Sequence, residues 1–435
     1  MDWRTPQKNK IVSMQDAVDS IQDNQIVYFG CGATVSDAFI NAILERYEDF
    51  NNLTILTALP LRPFKLKPEI KGHINFWSFF VGPVDRSIMQ MQLGTYSPVN
   101  FSTLDVFFER ICQIDVAVID SPPPDKDGNL CFGIVGGGMV RDILRSKPKI
   151  IAQINDQAPY CYGEYNKISI NEAEMIFEYS SPPASLPNPE VSELDKKIAS
   201  HIMDLIPDGA CIQLGLGGTS NAVGFFLESK KDLGLHTEML TDSNVRLIKK
   251  GIINASKKNK YPGKMVIGIG LGNQEMYDFV DKNEMIHTLP WAVLNKPFFL
   301  AENDNFISIN NALSVDLTGQ VASEGLGTNQ YSTTGGQLDF VIGSLYSKGG
   351  KSFILLPSTA ESKNGEKVSR ISVAFPPSTP ITTPRSHTQY IGTEYGCVNL
   401  WGQPPGKRIE LMISVAHPDF REQLKFDAKK AGLLY

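Results

Sequence analysis

What the chain lacks narrows its chemistry first. Its six cysteines, at 31, 112, 131, 161, 211 and 397, form no CxxC pair. That excludes a zinc ribbon or a dithiol redox motif. Most sit in apolar surroundings, as in Asp208-Gly-Ala-Cys-Ile-Gln-Leu214, which suits reduced, buried thiols in a cytosolic protein. The six histidines, at 73, 201, 236, 287, 387 and 417, are dispersed, with no HExxH or comparable spacing, so no metal site is expected. No apolar run approaches a membrane span. Met265-Val-Ile-Gly-Ile-Gly-Leu271 has the length of a buried strand. The start, Met1 to Lys10, carries no apolar signal region, so a cytoplasmic location without membrane attachment is expected. Charge of one sign is lacking too. Lys plus Arg total 41 against 47 Asp plus Glu, a net charge of -6, which argues against a surface built for nucleic acid.

What is present is a large α/β protein. At 435 residues and 42% hydrophobic composition, the chain has material for two domains of ordinary size. Gln25-Ile-Val-Tyr-Phe29 reads as a strand running into Gly30-Cys-Gly-Ala-Thr34. Val35, Phe39, Ile40, Ile43 and Leu44 then recur at helical spacing, and Asn52 to Thr57 is the next strand. That is a β-loop-α-β unit, the mark of a parallel sheet. The layout returns later. Ala210 to Leu214 is a strand, Gly215-Leu-Gly-Gly-Thr-Ser220 a glycine turn, Asn221 to Glu228 an apolar helix, and Leu235 to Leu240 a strand.

Other segments match in the same order. Asp125-Lys-Asp-Gly-Asn-Leu130 resembles Asp316-Leu-Thr-Gly-Gln-Val321, and Gly136-Gly-Gly138 resembles Gly335-Gly336. Three ordered matches favour an internal duplication: two similar tandem α/β domains with mainly parallel sheets. The proline-rich stretch Ser180-Ser-Pro-Pro-Ala-Ser-Leu-Pro-Asn-Pro189 can hold neither a helix nor a central strand. It places the linker near 182–190, with domains at 1–185 and 191–435. Ser192-Glu-Leu-Asp195 then opens a helix with Ile198, Ile202 and Leu205 on one face.

Several residues could carry chemistry. The turn Gly215 to Thr219 exposes backbone N–H groups that suit an anion or a developing oxyanion. A tight turn alone would require the same glycines. Gly215-Leu-Gly217 also begins like a dinucleotide fingerprint, with Glu238 where a ribose-binding acid would sit, which supports an NAD-dependent oxidoreductase. Position 220 is Ser, however, so the third glycine is missing. Gly349-Gly-Lys-Ser352 fails as a Walker A motif and no GxSxG elbow exists. Glu238, inside the apolar Leu235 to Leu240, is either a solvent-facing residue or a general base or nucleophile at a strand's carboxyl end. Gly335-Gly-Gln-Leu-Asp339 is a second place where backbone could approach a ligand, or a plain turn.

Together these segments resemble the family I coenzyme A transferases, in the acetyl-CoA hydrolase/transferase group. The resemblance spans nearly the whole chain. It is carried by Asp125 to Gly128, Gln153-Ile-Asn-Asp-Gln-Ala-Pro159, Gly215 to Val223, His236-Thr-Glu-Met239 and Asp304-Asn-Phe-Ile-Ser-Ile-Asn-Asn-Ala312. It continues through Asp316 to Val321, Gly335 to Phe340, Gly349 to Ser352 and Ala416-His-Pro-Asp-Phe-Arg421.

The resemblance implies a two-domain fold with the active site at the domain interface, Glu238 as nucleophile, and ping-pong transfer of CoA through a glutamyl-CoA thioester. It implies that Gly215, Leu216, Gly217, Gly218, Thr219, Leu313 and Gly336 bind CoA. The loop at 30–34 and the Gln153–Pro159 segment would help form the acyl or acceptor pocket. Substrates would be a short-chain acyl-CoA, such as butyryl- or 4-hydroxybutyryl-CoA, and a free carboxylate such as acetate. Ser220 stands where the family often has Pro, and a dicarboxylic acceptor such as succinate or itaconate stays open. An acyl-CoA hydrolase on the same scaffold is the alternative. CoA enters as a substrate moiety, no tightly bound cofactor is implied, and a homo-oligomer is expected.

Overall fold

The computed structural model describes residues 2–136, 138–186, 190–215, 217–362 and 364–434. The chain packs as two compact units. The first comprises Met1–Pro187, Glu238–Asp242 and Val266–Leu294, and the second Asn188–Thr237, Ser243–Met265 and Asn295–Tyr435.

The first unit is built on a seven-stranded, wholly parallel sheet. Its strands are β1 (Ile26–Cys31), β2 (Leu53–Ala58), β3 (Ile74–Ser78), β4 (Gly94–Tyr96), β5 (Val116–Ser121), β6 (Lys149–Ile154) and β7 (Met175–Glu178). They lie in the order 4-3-2-1-5-6-7. The chain starts in the middle, winds outward to one edge, then returns to fill the other side. This leaves a crevice at the carboxyl ends of β1 and β5, where open α/β sheets place their ligands. The central strands are buried almost throughout, as a parallel sheet covered on both faces requires. The helix after β1, Asp37–Glu45, buries Phe39, Ile40, Ile43 and Leu44. Phe39 meets Phe29 of β1 edge-on at 5.4 Å between ring centroids and Phe177 of β7 at 5.5 Å. Val35, expected in that helix, lies before it in extended backbone.

The second unit repeats the plan. It holds β8 (Cys211–Leu214), the opening of β9 (Gly234–Leu240), β10 (Phe306–Asn311), β11 (Lys351–Leu355), β12 (Tyr390–Thr393) and β13 (Gly396–Asn399). They run 9-8-10-11-12-13, parallel except for the final hairpin. The order 9-8-10-11-12 reproduces 2-1-5-6-7 of the first unit, which is the duplication read from the sequence. The matched Asp-x-x-Gly segments agree atom by atom. The Oδ1 of Asp125 accepts the N–H groups of Asp127 and Asn129 at 3.0 and 2.9 Å. The Oδ1 of Asp316 accepts those of Thr318 and Gln320, both at 2.9 Å. Asn129 and Gln320 each return a side-chain amide to the other carboxylate oxygen.

Ser181–Leu186 forms neither helix nor strand, and 187–189 lie outside the described residues. The helix Glu193–Ser200 then begins at a capping box in which the hydroxyl of Ser192 accepts the N–H of Asp195 and the carboxylate of Asp195 accepts that of Ser192. All six cysteines are unpaired and five are buried. No helix among the described residues is long and apolar enough to cross a membrane.

Candidate active site

The β9 segment Gly234-Leu-His-Thr-Glu-Met-Leu240 is buried except at Glu238, which is half-buried between two buried neighbours. Glu238 opens onto a small pocket of the first unit. Its walls are Cys31 and Gly32 after β1, Ala58 and Leu59 after β2, then Phe80, Phe101, Met239, Ile269 and Trp291. Among the described residues of that lining, Glu238 is the single charged one. Burial pushes the Cys31 thiol up to about 12, so at neutral pH it is an uncharged wall. Phe101 and Trp291 close one side as a parallel stack, 4.1 Å between centroids and 6° between planes. The indole N–H of Trp291 has no hydrogen-bond partner among the described residues. Gly268 makes the close fit possible. A Cβ there would lie 2.6 Å from Cδ1 and Nε1 of Trp291 and 2.8 Å from the carbonyl oxygen of Glu238. A carboxylate facing such a lining loses part of its hydration, which favours nucleophilic attack over simple solvation.

The glycine loop lies in the second unit. Gly217 has φ 127° and serves as N-cap of the helix Gly218–Phe226. Gly218, Thr219 and Ser220, expected in the turn, thus form the first turn of the helix. Their amides belong to the set an α-helix cannot pair internally, which makes this end suited to an anion. The loop is held in place from two sides. The hydroxyl of Thr219 donates to Oδ1 of Asp195 at 2.7 Å, and Nδ2 of Asn311 donates to Oγ of Ser220 at 3.2 Å. The N–H of Gly215 donates to the carbonyl of Ile309 at 2.8 Å. The loop and the end of β10 are therefore brought together. Leu313 follows β10, half-exposed, its N–H on the carbonyl of Ala322. Gly336 is the buried N-cap of a separate helix, Gln337–Tyr346. Leu216 lies outside the described residues.

The pocket contains Cys31 and Gly32 of the 30–34 loop but not Gln153 or Asn155. Those two lie in a separate polar crevice of the first unit with Ser36, Asp37, Arg62, Asp120 and Ser181. The sequence reading missed most of the pocket walls. Phe101, Ile269 and Trp291 carry no motif, and their only signal is apolar character shared with the whole core.

The model of the acetyl-CoA hydrolase/transferase N-terminal domain matches residues 1–186, and that of the C-terminal domain matches 272–428. The chain belongs to the acetyl-CoA hydrolase/transferase family. Within it, the chain is 35% identical to a 4-hydroxybutyrate coenzyme A transferase of Clostridium kluyveri, covering 99% of this chain and all of that one. It is 34% identical to a butyryl-CoA:acetate CoA-transferase of Anaerostipes caccae, over 100% of this chain and 99% of that one. Among solved structures, RipA from Yersinia pestis matches with a TM-score of 0.92 and 35% identity over the whole of both chains. A 4-hydroxybutyrate CoA-transferase from Porphyromonas gingivalis matches with a TM-score of 0.81 and 32% identity, over 99% of this chain and all of that one.

Proposed function

We propose that the protein transfers CoA between a short-chain acyl-CoA, such as butyryl- or 4-hydroxybutyryl-CoA, and a free carboxylate such as acetate, with Glu238 as nucleophile. The observation that carries this reading is one charged residue, a glutamate, facing an otherwise uncharged pocket in a chain of this family. The Glu238 carboxylate attacks the acyl-CoA carbonyl, forming an acyl-glutamyl anhydride and releasing CoA thiolate. The thiolate attacks the glutamyl carbonyl, and the donor's acid leaves as its carboxylate. A glutamyl-CoA thioester remains. The acceptor carboxylate attacks that thioester, CoA thiolate leaves and then attacks the acceptor carbonyl of the new anhydride. The acceptor departs as its CoA ester and Glu238 is regenerated.

Each tetrahedral intermediate needs hydrogen-bond donors for its oxyanion. We assign the loop Gly215 to Thr219, with Leu313 and Gly336, to CoA, and residues 1–185 and 191–435 to the two CoA-transferase domains. The pocket walls around Glu238 would receive the acyl group. Their apolar character suits an alkyl chain, and they exclude the water that would hydrolyse the anhydride and the thioester.

The test is the intact mass of the protein after incubation with butyryl-CoA and no acceptor, followed by peptide mapping. A CoA adduct on the Glu238 peptide, absent in Glu238→Ala together with transfer, is the expected result. Full transfer in Glu238→Ala would sink the assignment. Thiol release without any carboxylate present and without an adduct would favour the hydrolase.

A further inference from the structure

The polar crevice of the first unit is a closed ring of hydrogen bonds. Asp120, at the end of β5, accepts Nε2 of Gln153 on Oδ1 at 2.8 Å and Nδ2 of Asn155 on Oδ2 at 3.3 Å. Oε1 of Gln153, so turned, accepts the hydroxyl of Ser36 at 3.0 Å. Asn155 donates to the carbonyl of Ser181 at 2.8 Å and accepts its N–H at 3.1 Å. Arg62 donates to Oγ of Ser181 at 3.0 Å, to the carbonyl of Pro182, and to Oδ1 of Asp37 at 3.1 Å. Asp37 follows Ser36, which closes the ring. Ser36, Asp120, Gln153 and Asn155 are all buried.

The ring grips the two loops that wall the pocket beside Glu238. Ser36 ends the loop that begins with Cys31 and Gly32, and Arg62 lies three residues after Leu59. Leu59 itself adopts φ 51°, a conformation disfavoured for its side chain, so something must hold that loop. No other acceptor in the ring sets the orientation of both amides. The Ser181 backbone already fixes the sense of the Asn155 amide, whereas that of Gln153 is set by the Asp120 carboxylate.

We propose that Asp120 is a positioning residue for CoA transfer. Through Gln153 and Ser36 on one side and Asn155, Ser181 and Arg62 on the other, it sets the spacing of the Cys31–Ser36 and Leu59–Arg62 loops. It thereby sets the discrimination between acyl chains at Glu238. This rests on Glu238 being the nucleophile.

The test compares kcat/KM for butyryl-CoA and for acetyl-CoA, with acceptor fixed, in four proteins. The ratio of the two is independent of how much protein is folded. Asp120→Ala and, as a milder cut at the loop end, Ser36→Ala should each shift that ratio by roughly fivefold or more, a fraction of what fitted methylene groups confer. Asp120→Asn should stay within about twofold of wild type, because one turn of the Gln153 amide and of the Ser36 hydroxyl restores the bonds from residue 120 to Gln153 and Asn155 and from Gln153 to Ser36. A ratio unchanged in Asp120→Ala or Ser36→Ala overturns the inference, as does Asp120→Asn behaving like Asp120→Ala. Glu238→Ala separates the two failures. If it is inactive while the ratio never moves, only the ring proposal falls. If it is active, the nucleophile assignment falls and the ring proposal with it.

Discussion

Burial of Asp120 predicts an unusual dependence of stability on pH. Its carboxyl is pushed up to about 7, first by burial, with the Asn155 and Gln153 donors pulling down, Asp37 adding repulsion and Arg62 opposing it. In the unfolded chain the same group titrates near 3.9. A carboxyl whose value is raised on folding favours the native state when protonated. Its contribution is fully present below about pH 4 and is lost as pH rises through about 7. The two titrations together put the cost to wild type at roughly 1–2 kcal/mol at pH 5 and roughly 4 kcal/mol at pH 8.

Asp120→Asn keeps the shape and removes the charge, so it abolishes the titration. Relative to wild type, the variant should gain roughly 2–3 kcal/mol between pH 5 and pH 8. At about 2–4 °C per kcal/mol for a unit of this size, that is a gain of about 5–10 °C in its midpoint relative to wild type. Thermal unfolding of both proteins at the two pH values, in matched ionic strength, measures it. An offset between the two proteins that stays constant with pH would refute the reasoning. So would a variant that loses ground as pH rises, since that would mean the ring depends on the ionised form.

Two further predictions concern glycines at the proposed site. Gly217→Ala places a methyl group at φ 127° and 2.6 Å from Nδ2 of Asn311, at a cost of about 1–3 kcal/mol. CoA affinity by calorimetry should fall about tenfold or more; unchanged affinity would count against the loop as the CoA site. Gly268→Ala drives a methyl group into the Trp291 indole and the Glu238 carbonyl, again an overpacking of about 1–3 kcal/mol. Adduct formation on Glu238 in a single turnover should slow about tenfold, with CoA affinity retained. A wild-type rate would show that the indole and strand do not position the nucleophile.

The elements that could be read from the sequence are those encoded locally. The strand after Gln25, the helix face of Phe39 to Leu44 and the capping box at Ser192 are each written within a few residues. The duplication was visible for the same reason, because Asp125-Lys-Asp-Gly and Asp316-Leu-Thr-Gly each close on their own carboxylate. The pocket was not, because Phe101 and Trp291 stand 190 positions apart and look like any core aromatics. The start of the second-unit helix was misplaced by three residues, since Gly218-Thr-Ser220 has the composition of a turn. Its helical form shows in the fold, where the N–H of Asn221 donates to the carbonyl of Gly217 at 3.1 Å and the turn is tethered from Thr219 to Asp195 and from Asn311 to Ser220.

The polar ring shows the limit most clearly. Gln153, Asn155 and Asp120 end adjacent parallel strands, a placement the apolar runs before them do predict. Ser36, Arg62 and Ser181 join them only through the fold. The two units thus place different chemistry at the carboxyl ends of the same strand order. After β8 the loop is rich in glycine and leads into helix amides suited to an anion. After β1 the loop is locked by side chains, leaving Cys31 and Gly32 to shape a wall. On the proposed assignment, a duplicated sheet whose copies have diverged in this way would separate anion holding from acyl fitting, so that either could change without dismantling the other.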